Sequence, residues 1–192
     1  MKLKVVYFGA SLAGKSTNVR ILYEKLRSRG VTKGDYISME TDENRTLFVE
    51  MFLSSFRIED QDIDVKVLTT PGQFRLHPLR KVIMKGVDGL VFVVDSSKER
   101  ENINFLVLRE TAAVLKEQGY DLYALPVVVQ YNKRDLPDAL PIEELQPVCN
   151  PWGTEFVEAV APEGLGVVET FRAIVRRILT DRVASGSGRI PS

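Results

Sequence analysis

The sequence predicts an α/β fold, with a doubly wound and mostly parallel six-stranded sheet, one antiparallel edge strand, and helices on both faces. Two observations predict this fold. Apolar runs alternate with amphipathic stretches from end to end, which is the pattern of a parallel sheet covered by helices. The run at 89–95 is almost continuously apolar, which is typical of a strand that is covered on both faces.

The predicted strands are short apolar-rich runs that end at turn residues or charged segments. They are residues 3–8, 46–56, 63–69, 89–95, 126–131 and 155–160. The charged segment 59–62 separates the second run from the third. We therefore expect these two runs to form a hairpin that supplies the antiparallel edge of the sheet.

The predicted helices are amphipathic stretches between these strands, most of them with apolar residues at helical spacing. They are residues 15–28, 78–86, 99–118, 141–148 and 166–183. No linker divides the chain, so we expect one domain over residues 1–183. The end of the chain is rich in Ser and Gly, which predicts a flexible tail at 184–192.

Composition excludes several classes of protein. The 26 Lys+Arg balance the 26 Asp+Glu, which argues against sequence-independent binding of nucleic acid. One Cys and one His leave no disulfide framework and no two-His or multi-Cys metal site. No stretch approaches the roughly 18 apolar residues of a membrane-spanning helix. We expect a reduced, cytoplasmic globule with no integral membrane segment.

A phosphate-binding loop is predicted where the first strand meets the first helix. Residues 9–16 read GASLAGKS and fit G-x-x-x-x-G-K-[ST]. Glycines let the backbone N–H groups turn toward a phosphate, and the N-terminus of the helix adds attraction. Lys15 would reach the β- and γ-phosphates, and the Ser16 hydroxyl would bind Mg²⁺. The predicted phosphate-site residues are Gly9, Ser11, Leu12, Ala13, Gly14, Lys15, Ser16 and Thr17.

A second motif predicts which base is bound. Residues 132–135 read NKRD and follow the strand 126–131, at the edge where α/β sheets hold ligands. A carboxylate at Asp135 can accept two N–H bonds from the Watson–Crick edge of guanine. Adenine has no matching pair of donors, so Asp135 would discriminate strongly against it.

A third motif bears on hydrolysis, which requires an aligned water molecule and stabilisation of developing negative charge. Pro71, Gly72 and Gln73 follow the strand 63–69. Gly72 would let the backbone approach the γ-phosphate, and Gln73 would orient the attacking water. The alternative for Gln73 is a solvated loop amide.

These motifs together resemble the Ras-like small GTPases, and more narrowly the MglA family of bacterial cell-polarity and gliding-motility GTPases. The further segments that carry the resemblance are RTLF at 45–48, KGVDG at 85–89, QYNKRDLP at 130–137 and AVAP at 159–162. The resemblance implies Asn132 and Asp135 on the base and Lys133 beneath the base and ribose. It also implies that Ala161, beside Val160 in the same nucleotide-binding segment, donates its backbone N–H to guanine O6.

The resemblance also implies the groups that act at the γ-phosphate. Thr46 would complete the Mg²⁺ shell that Ser16 begins, with Thr41 as a less favoured alternative ligand. Arg45 would act in cis as an arginine finger, and the alternative is a solvent-facing charge. The implied partners are a protein effector and an activator with a roadblock domain, similar to MglB.

Two residues depart from the common pattern of small GTPases. Thr69 stands where most members have an Asp that holds a magnesium-bound water, although MglA-like proteins share this loss. Ser11 stands where the phosphate loop usually has a glycine close to the γ-phosphate. Because a side chain at Ser11 can crowd the attacking water, we expect slow intrinsic turnover.

The sequence therefore predicts a GTP/GDP switch that binds Mg²⁺ and slowly hydrolyses GTP, acting in bacterial polarity or motility. The alternative is a GTP- or GDP-binding interaction module with negligible hydrolysis. A P-loop kinase is disfavoured, because no basic, lid-like insertion is found. The strand 46–56 is apolar on both faces, which predicts a docking surface at the sheet edge unless helices cover both faces.

Overall fold

The computed structural model describes residues 1–39, 49–58, 60–72 and 77–184. The strands are β1 (Lys2–Phe8), β2 (Thr32–Met39), β3 (Val49–Ile58), β4 (Gln61–Thr69), β5 (Gly89–Asp95), β6 (Val127–Asn132) and β7 (Phe156–Glu158). The helices are α1 (Lys15–Arg27), α2 (His77–Met84), α3 (Glu101–Glu117), α4 (Ile142–Cys149) and α5 (Val167–Ala184). Short 3-10 turns lie at Lys98–Arg100 and Ala161–Glu163.

The strands form one sheet in the order β2-β3-β4-β1-β5-β6-β7. β3 pairs antiparallel with both β2 and β4, and the pairs from β4 through β1, β5 and β6 to β7 are parallel. α1 packs against α5, while α3 packs against α2 and α4, and β5 contacts both α3 and α5. The predicted α/β architecture is confirmed, with helices on both faces and antiparallel pairing toward one edge.

The sheet differs from the prediction in one strand. Within the described residues it has seven strands rather than six, because β2 was not predicted. β2 contains Gly34 at a positive φ of 74°, and its register on β3 shifts between Lys33 and Ile37. Most of its residues are exposed. An edge strand with little burial has no strong alternation of apolar and polar residues, so its sequence carries little strand signal.

The expected position of the strand 46–56 at the sheet edge is wrong. β3 lies between β2 and β4, so β2 takes both the edge and the open backbone groups. Phe52 is 1% exposed, and its ring packs 5.5 Å from that of Tyr23 on α1. Phe56 meets Phe171 of α5 edge to face. Helices α1 and α5 thus cover this face of β3. The alternative required cover on both faces, but Leu53 on the opposite face is 41% exposed. Phe48 lies outside the described residues.

The centre of the sheet explains where the predicted motifs meet. β1 and β5 are buried along most of their length, and Phe8 stacks on Phe92 at a centroid distance of 4.7 Å. Since the strands from β4 to β7 are parallel, the loops that follow β1, β4, β5 and β6 emerge at one edge. The three predicted motifs follow three of these strands.

Two further observations concern the chain as a whole. Among the residues that the structure describes, none of the helices combines the length and apolar character that crossing a membrane requires. The predicted tail at 184–192 lies outside the described residues, apart from Ala184 at the end of α5.

Candidate nucleotide-binding site

The loop between β1 and α1 depends on its two motif glycines. Gly9 has a φ of 153°, and a side chain there would run into the Val93 carbonyl oxygen of β5. Gly14 caps α1 with a φ of 99°, and a side chain there would overlap the Asn132 amide. Leu12 is not a glycine yet has a φ of 66°, a conformation that often marks functional loops. The backbone is therefore fixed in a tight curve around the start of α1.

The Lys15 ammonium points back into this loop. It donates to the carbonyl oxygens of Gly9 at 3.0 Å and Ala10 at 2.6 Å, and Lys15 is only 7% exposed. Burial and the positive charge of Arg80 lower the pKa of Lys15 to about 7, against the opposing charge of Glu50. A buried cation held by neutral carbonyls is stabilised further when an anion arrives, so this loop is suited to phosphate.

The lowered pKa of Lys15 predicts how stability depends on pH. Between pH 7 and the usual lysine pKa of about 10.5, the unfolded chain binds more protons than the folded chain. The free energy of unfolding of the ligand-free protein should therefore rise with pH through this window, by at most about 1.4 kcal/mol per pH unit from this group. Denaturant unfolding at several pH values measures it, with Lys15→Met as the matched control. Equal pH slopes in the two proteins would contradict the expectation.

A cavity of about 390 Å³ opens beside the phosphate loop. Its walls come from the loop and the start of α1, from β3, and from the segment after β4. The lining residues are Ser11, Leu12, Gly14, Lys15, Ser16, Thr17, Glu50, Thr70, Pro71 and Gly72. Ser16 and Thr17 are half-buried, and their hydroxyls form no hydrogen bond within the described part of the chain. Both hydroxyls are thus available to a ligand or a metal ion in the cavity.

The segment after β4 approaches the phosphate loop very closely. A side chain at Gly72 would lie 2.5 Å from both Cα and N of Ser11, so only glycine permits this contact. Arg80 of α2 fixes the same segment, because its Nε donates to the Pro71 carbonyl oxygen at 2.9 Å and its guanidinium pairs with Glu110 of α3. Arg80 was not predicted as a site residue, since nothing in the local sequence distinguishes it from a surface arginine.

Asn132 connects the predicted base loop to the phosphate loop. Its Nδ2 donates to the Ala13 carbonyl oxygen at 2.9 Å, and its Oδ1 accepts the Ala161 amide N–H at 3.0 Å. Asn132 is fully buried, and Val160 beside Ala161 is buried as well. The N–H that the resemblance assigns to guanine O6 is donated to Asn132 in this structure. Asn132 therefore holds together the loops that follow β1, β6 and β7.

Lys133 and Asp135 differ in their surroundings. Lys133 has a φ of 64°, and its ammonium pairs with Asp95 Oδ2 at 2.6 Å. Asp95 ends β5, is 1% exposed, and also accepts the backbone and hydroxyl hydrogens of Ser97. Asp135 is exposed and has no hydrogen-bond or ion-pair partner within the described ranges. The Lys133 side chain is thus held in place, while the Asp135 carboxylate is open to a ligand.

Asp95 and Glu50 are the buried acidic residues of this region that the sequence interpretation missed. Asp95 had a readable signal, because a charged residue closes an otherwise apolar strand at the edge that carries the site. Glu50 had none, because its position beside the cavity depends on the pairing of β3 with β4. The predicted residues Arg45, Thr46 and Gln73, and the alternative ligand Thr41, lie outside the described residues.

Comparison with known proteins assigns the chain to a family. The model of the Ras family matches residues 4–180. The chain is also 42% identical over 184 residues to the mutual gliding-motility protein MglA of Myxococcus xanthus (strain DK1622), and the alignment covers 95% of this chain and 93% of that protein. The chain therefore belongs to the Ras family, and within it to the MglA family of small GTPases.

Proposed function

We propose that this protein is a GTP/GDP switch that binds guanine nucleotide together with Mg²⁺ and slowly hydrolyses GTP to GDP and phosphate. The observation that carries the proposal is the connection of the two loops. The loop with the buried Lys15 ammonium is joined through Asn132 to the loop that presents the open Asp135 carboxylate. One nucleotide contacting both loops would place its phosphates at Lys15 and its base at Asp135.

The phosphates would be bound by charge and by backbone donors. α1 begins at Lys15, and the first N–H groups of a helix have no partner within it. These groups and the positive end of the helix dipole favour an anion. The Lys15 ammonium would exchange its carbonyl contacts for phosphate oxygens, which are stronger acceptors because they are charged.

The metal site would use hydroxyl ligands. Ser16 faces the cavity beside Lys15, and Thr46 is proposed as the second protein ligand. Mg²⁺ at this position supplies charge neutralisation between the β- and γ-phosphates. An ion of this kind keeps several waters and takes few protein ligands. A site built on two hydroxyls fits it, and the described residues contain no metal-binding cluster of carboxylates.

Hydrolysis would proceed by attack of water on the γ-phosphorus and cleavage of its bond to the oxygen of the leaving GDP. Gln73 follows Gly72, which lies against the Ser11 backbone in a segment that Arg80 holds through the Pro71 carbonyl oxygen. From there the Gln73 amide would orient the attacking water. Arg45 would stabilise the charge that develops on the leaving oxygen and the phosphoryl group.

The switch would act through residues 35–48 and 70–80. Contacts to the γ-phosphate order such segments in GTPases, and hydrolysis releases them. We propose that a protein effector reads this difference, and that an MglB-like activator with a roadblock domain accelerates hydrolysis. The name of the Myxococcus relative supports a role in gliding motility, and the family resemblance is the basis for proposing a role in polarity. We further propose a cytoplasmic GTP-binding domain over residues 1–183 and a flexible tail at 184–192.

A second function is favoured by one observation, the contact of Ser11 with the segment after β4. Ser11 replaces a glycine of the usual phosphate loop, and its backbone lies against Gly72, next to Gln73. If its side chain blocks the attacking water, the protein is a nucleotide-dependent interaction module with negligible hydrolysis.

The substitution Ser11→Gly shows whether the Ser11 side chain slows GTP hydrolysis or assists it. We expect this substitution to leave GTP hydrolysis equal or to raise it, because removing the hydroxymethyl group relieves crowding at the γ-phosphate. Phosphate release by the variant and the unchanged protein under single-turnover conditions measures this. A large loss of turnover would show instead that the hydroxyl takes a positive part in catalysis.

The nucleotide that copurifies with the protein tests the proposal. Denaturation should release GDP or GTP in near-stoichiometric amount, and chromatography would identify it. Lys15→Ala should release none, because the phosphates lose their buried cationic partner. Ser16→Asn should weaken GTP more than GDP, since the metal that Ser16 would hold would neutralise more phosphate charge in the triphosphate. Recovery of an adenine nucleotide would refute the assignment of the base.

A further inference from the structure

Glu50 is a buried acidic residue beside the phosphate cavity for which the proposed function gives no role. It is the second residue of β3 and is 7% exposed. Its Oε2 is buried and accepts no well-formed hydrogen bond within the described ranges, although the Tyr36 hydroxyl interacts with the Glu50 side chain. Burying a charged group without full compensation opposes folding, so such an atom in a native structure points to a further interaction.

The register of the sheet places Glu50 directly across from Thr69. Met51 pairs with Leu68 in the β3–β4 ladder, so Glu50 and Thr69 come next. The Glu50 amide N–H donates to Thr69 Oγ1 at 2.9 Å. Opposite residues of an antiparallel pair project from the same face, about 4.5–5.5 Å apart at Cβ. On the face of the sheet that Thr69 and Glu50 share, position 69 of β4 has no carboxylate. The neighbouring strand β3 supplies one at Glu50.

Glu50 also faces the phosphate loop. Alternate residues of a strand share a face, and Phe52, two residues further along β3, packs against Tyr23 of α1. Glu50 lines the same cavity as Lys15 and Ser16, and its negative charge acts on the Lys15 ammonium. Its carboxylate therefore lies in the region where the Ser16 hydroxyl would hold Mg²⁺.

We propose that Glu50 is a positioning residue for the metal, and that its carboxylate accepts a hydrogen bond from a water molecule bound to Mg²⁺. This inference rests on the proposed function. Mg²⁺ retains most of its water ligands in proteins, and outer-shell acceptors hold such ligands in place. The negative charge of Glu50 would also offset part of the positive charge of Mg²⁺ and of Lys15 within the cavity beside the phosphate loop.

Tyr36 of β2 provides the competing explanation. Its hydroxyl is buried and makes no well-formed hydrogen bond within the described residues, but burial, the Glu50 charge and a hydrogen-bonding interaction with the Glu50 side chain raise the pKa of Tyr36. The two side chains are therefore neighbours. If Glu50 served only to accommodate Tyr36, loss of the Tyr36 hydroxyl would have the same consequences as loss of the carboxylate.

The experiment measures how strongly a fluorescent GDP analogue is retained as free Mg²⁺ is varied from EDTA to millimolar levels. We expect Glu50→Gln to require roughly 10–100-fold more Mg²⁺ for half-maximal retention, with unchanged affinity in EDTA. The double variant Glu50→Gln/Thr69→Asp should return toward the native midpoint, because it restores a carboxylate on the same face. Tyr36→Phe tests the competing explanation and should shift the midpoint much less than Glu50→Gln does.

The outcomes separate this inference from the proposed function. A native midpoint in Glu50→Gln overturns the inference, as does an equal shift in Tyr36→Phe or an equal loss of affinity in EDTA. The double variant restores the charge beside Lys15, so it can be tested even if Glu50→Gln alone does not fold. If the Mg²⁺ midpoint of the double variant does not return toward the native value, the inference is overturned. If the unchanged protein binds no guanine nucleotide, or binds it without regard to Mg²⁺, the proposed function fails and the inference fails with it.

Discussion

Replacement of Arg45 by alanine is expected to reduce activator-stimulated GTP hydrolysis by roughly 10³–10⁵-fold, which is the range for arginine fingers, and to leave GDP affinity unchanged. The difference follows from where the charge develops. The positive charge of Arg45 would act on negative charge that forms only in the transition state, so it contributes little to binding of the product. Single-turnover hydrolysis with the activator and equilibrium binding of GDP are the two measurements.

Two variants complete this test. Gln73→Leu should give the same separation of binding from hydrolysis, because the lost amide orients the water and does not hold the nucleotide. Arg57→Ala serves as the control, since Arg57 is an exposed arginine on β3 whose pairing with Asp60 is long, at 3.9 Å. Normal stimulated turnover in Arg45→Ala would mean that the stimulating charge comes from another residue or from the activator.

Replacement of Asp135 by alanine is expected to remove most of the preference for GTP over ATP. A site built to bond particular N–H groups can reject a ligand that lacks them by roughly 10⁴–10⁵-fold, and Asp135 is the open carboxylate at this position. Competition of GTP and ATP against a fluorescent GDP analogue gives the ratio for each protein. Lys15, at the phosphate end, should still bind the phosphates of both GTP and ATP. We therefore expect the affinity for GTP to fall toward that for ATP, which removes the selectivity.

Asp138→Ala is the control for this prediction, because Asp138 is another exposed carboxylate on the loop after β6. It should leave the selectivity unchanged. If ATP competes as well as GTP in the unchanged protein, or if Asp135→Ala retains full selectivity, the base is recognised elsewhere.

The phosphate loop was predictable from sequence because its backbone conformation requires particular residues. Gly9 and Gly14 occupy positive φ values where a side chain would meet backbone or Asn132, and a lysine must follow to balance the phosphates. The central strands were predictable for a similar reason, since burial on both faces demands a continuous apolar run. In each case the physical requirement acts on neighbouring residues of one segment.

The features that were missed depend on contacts between distant segments. β2 is stabilised by its ladder with β3 and not by its own exposed sequence, so it was not recognised and β3 was placed at the edge. Asn132 was assigned to the base, and only the structure reveals its bonds to Ala13 and Ala161. Glu50 becomes notable only once β3 and β4 are paired in register.

Release of phosphate from protein loaded with GTP is the direct test of whether the chain is a hydrolysing switch. The protein is loaded with GTP, Mg²⁺ is added to start a single turnover, and phosphate and bound nucleotide are followed together. We expect a slow release of one phosphate for each GTP bound, with GDP left in the site, and suppression of this release in Gln73→Leu. GTP that stays intact on the protein, with and without the activator, would contradict the account and leave a nucleotide-binding interaction module in its place.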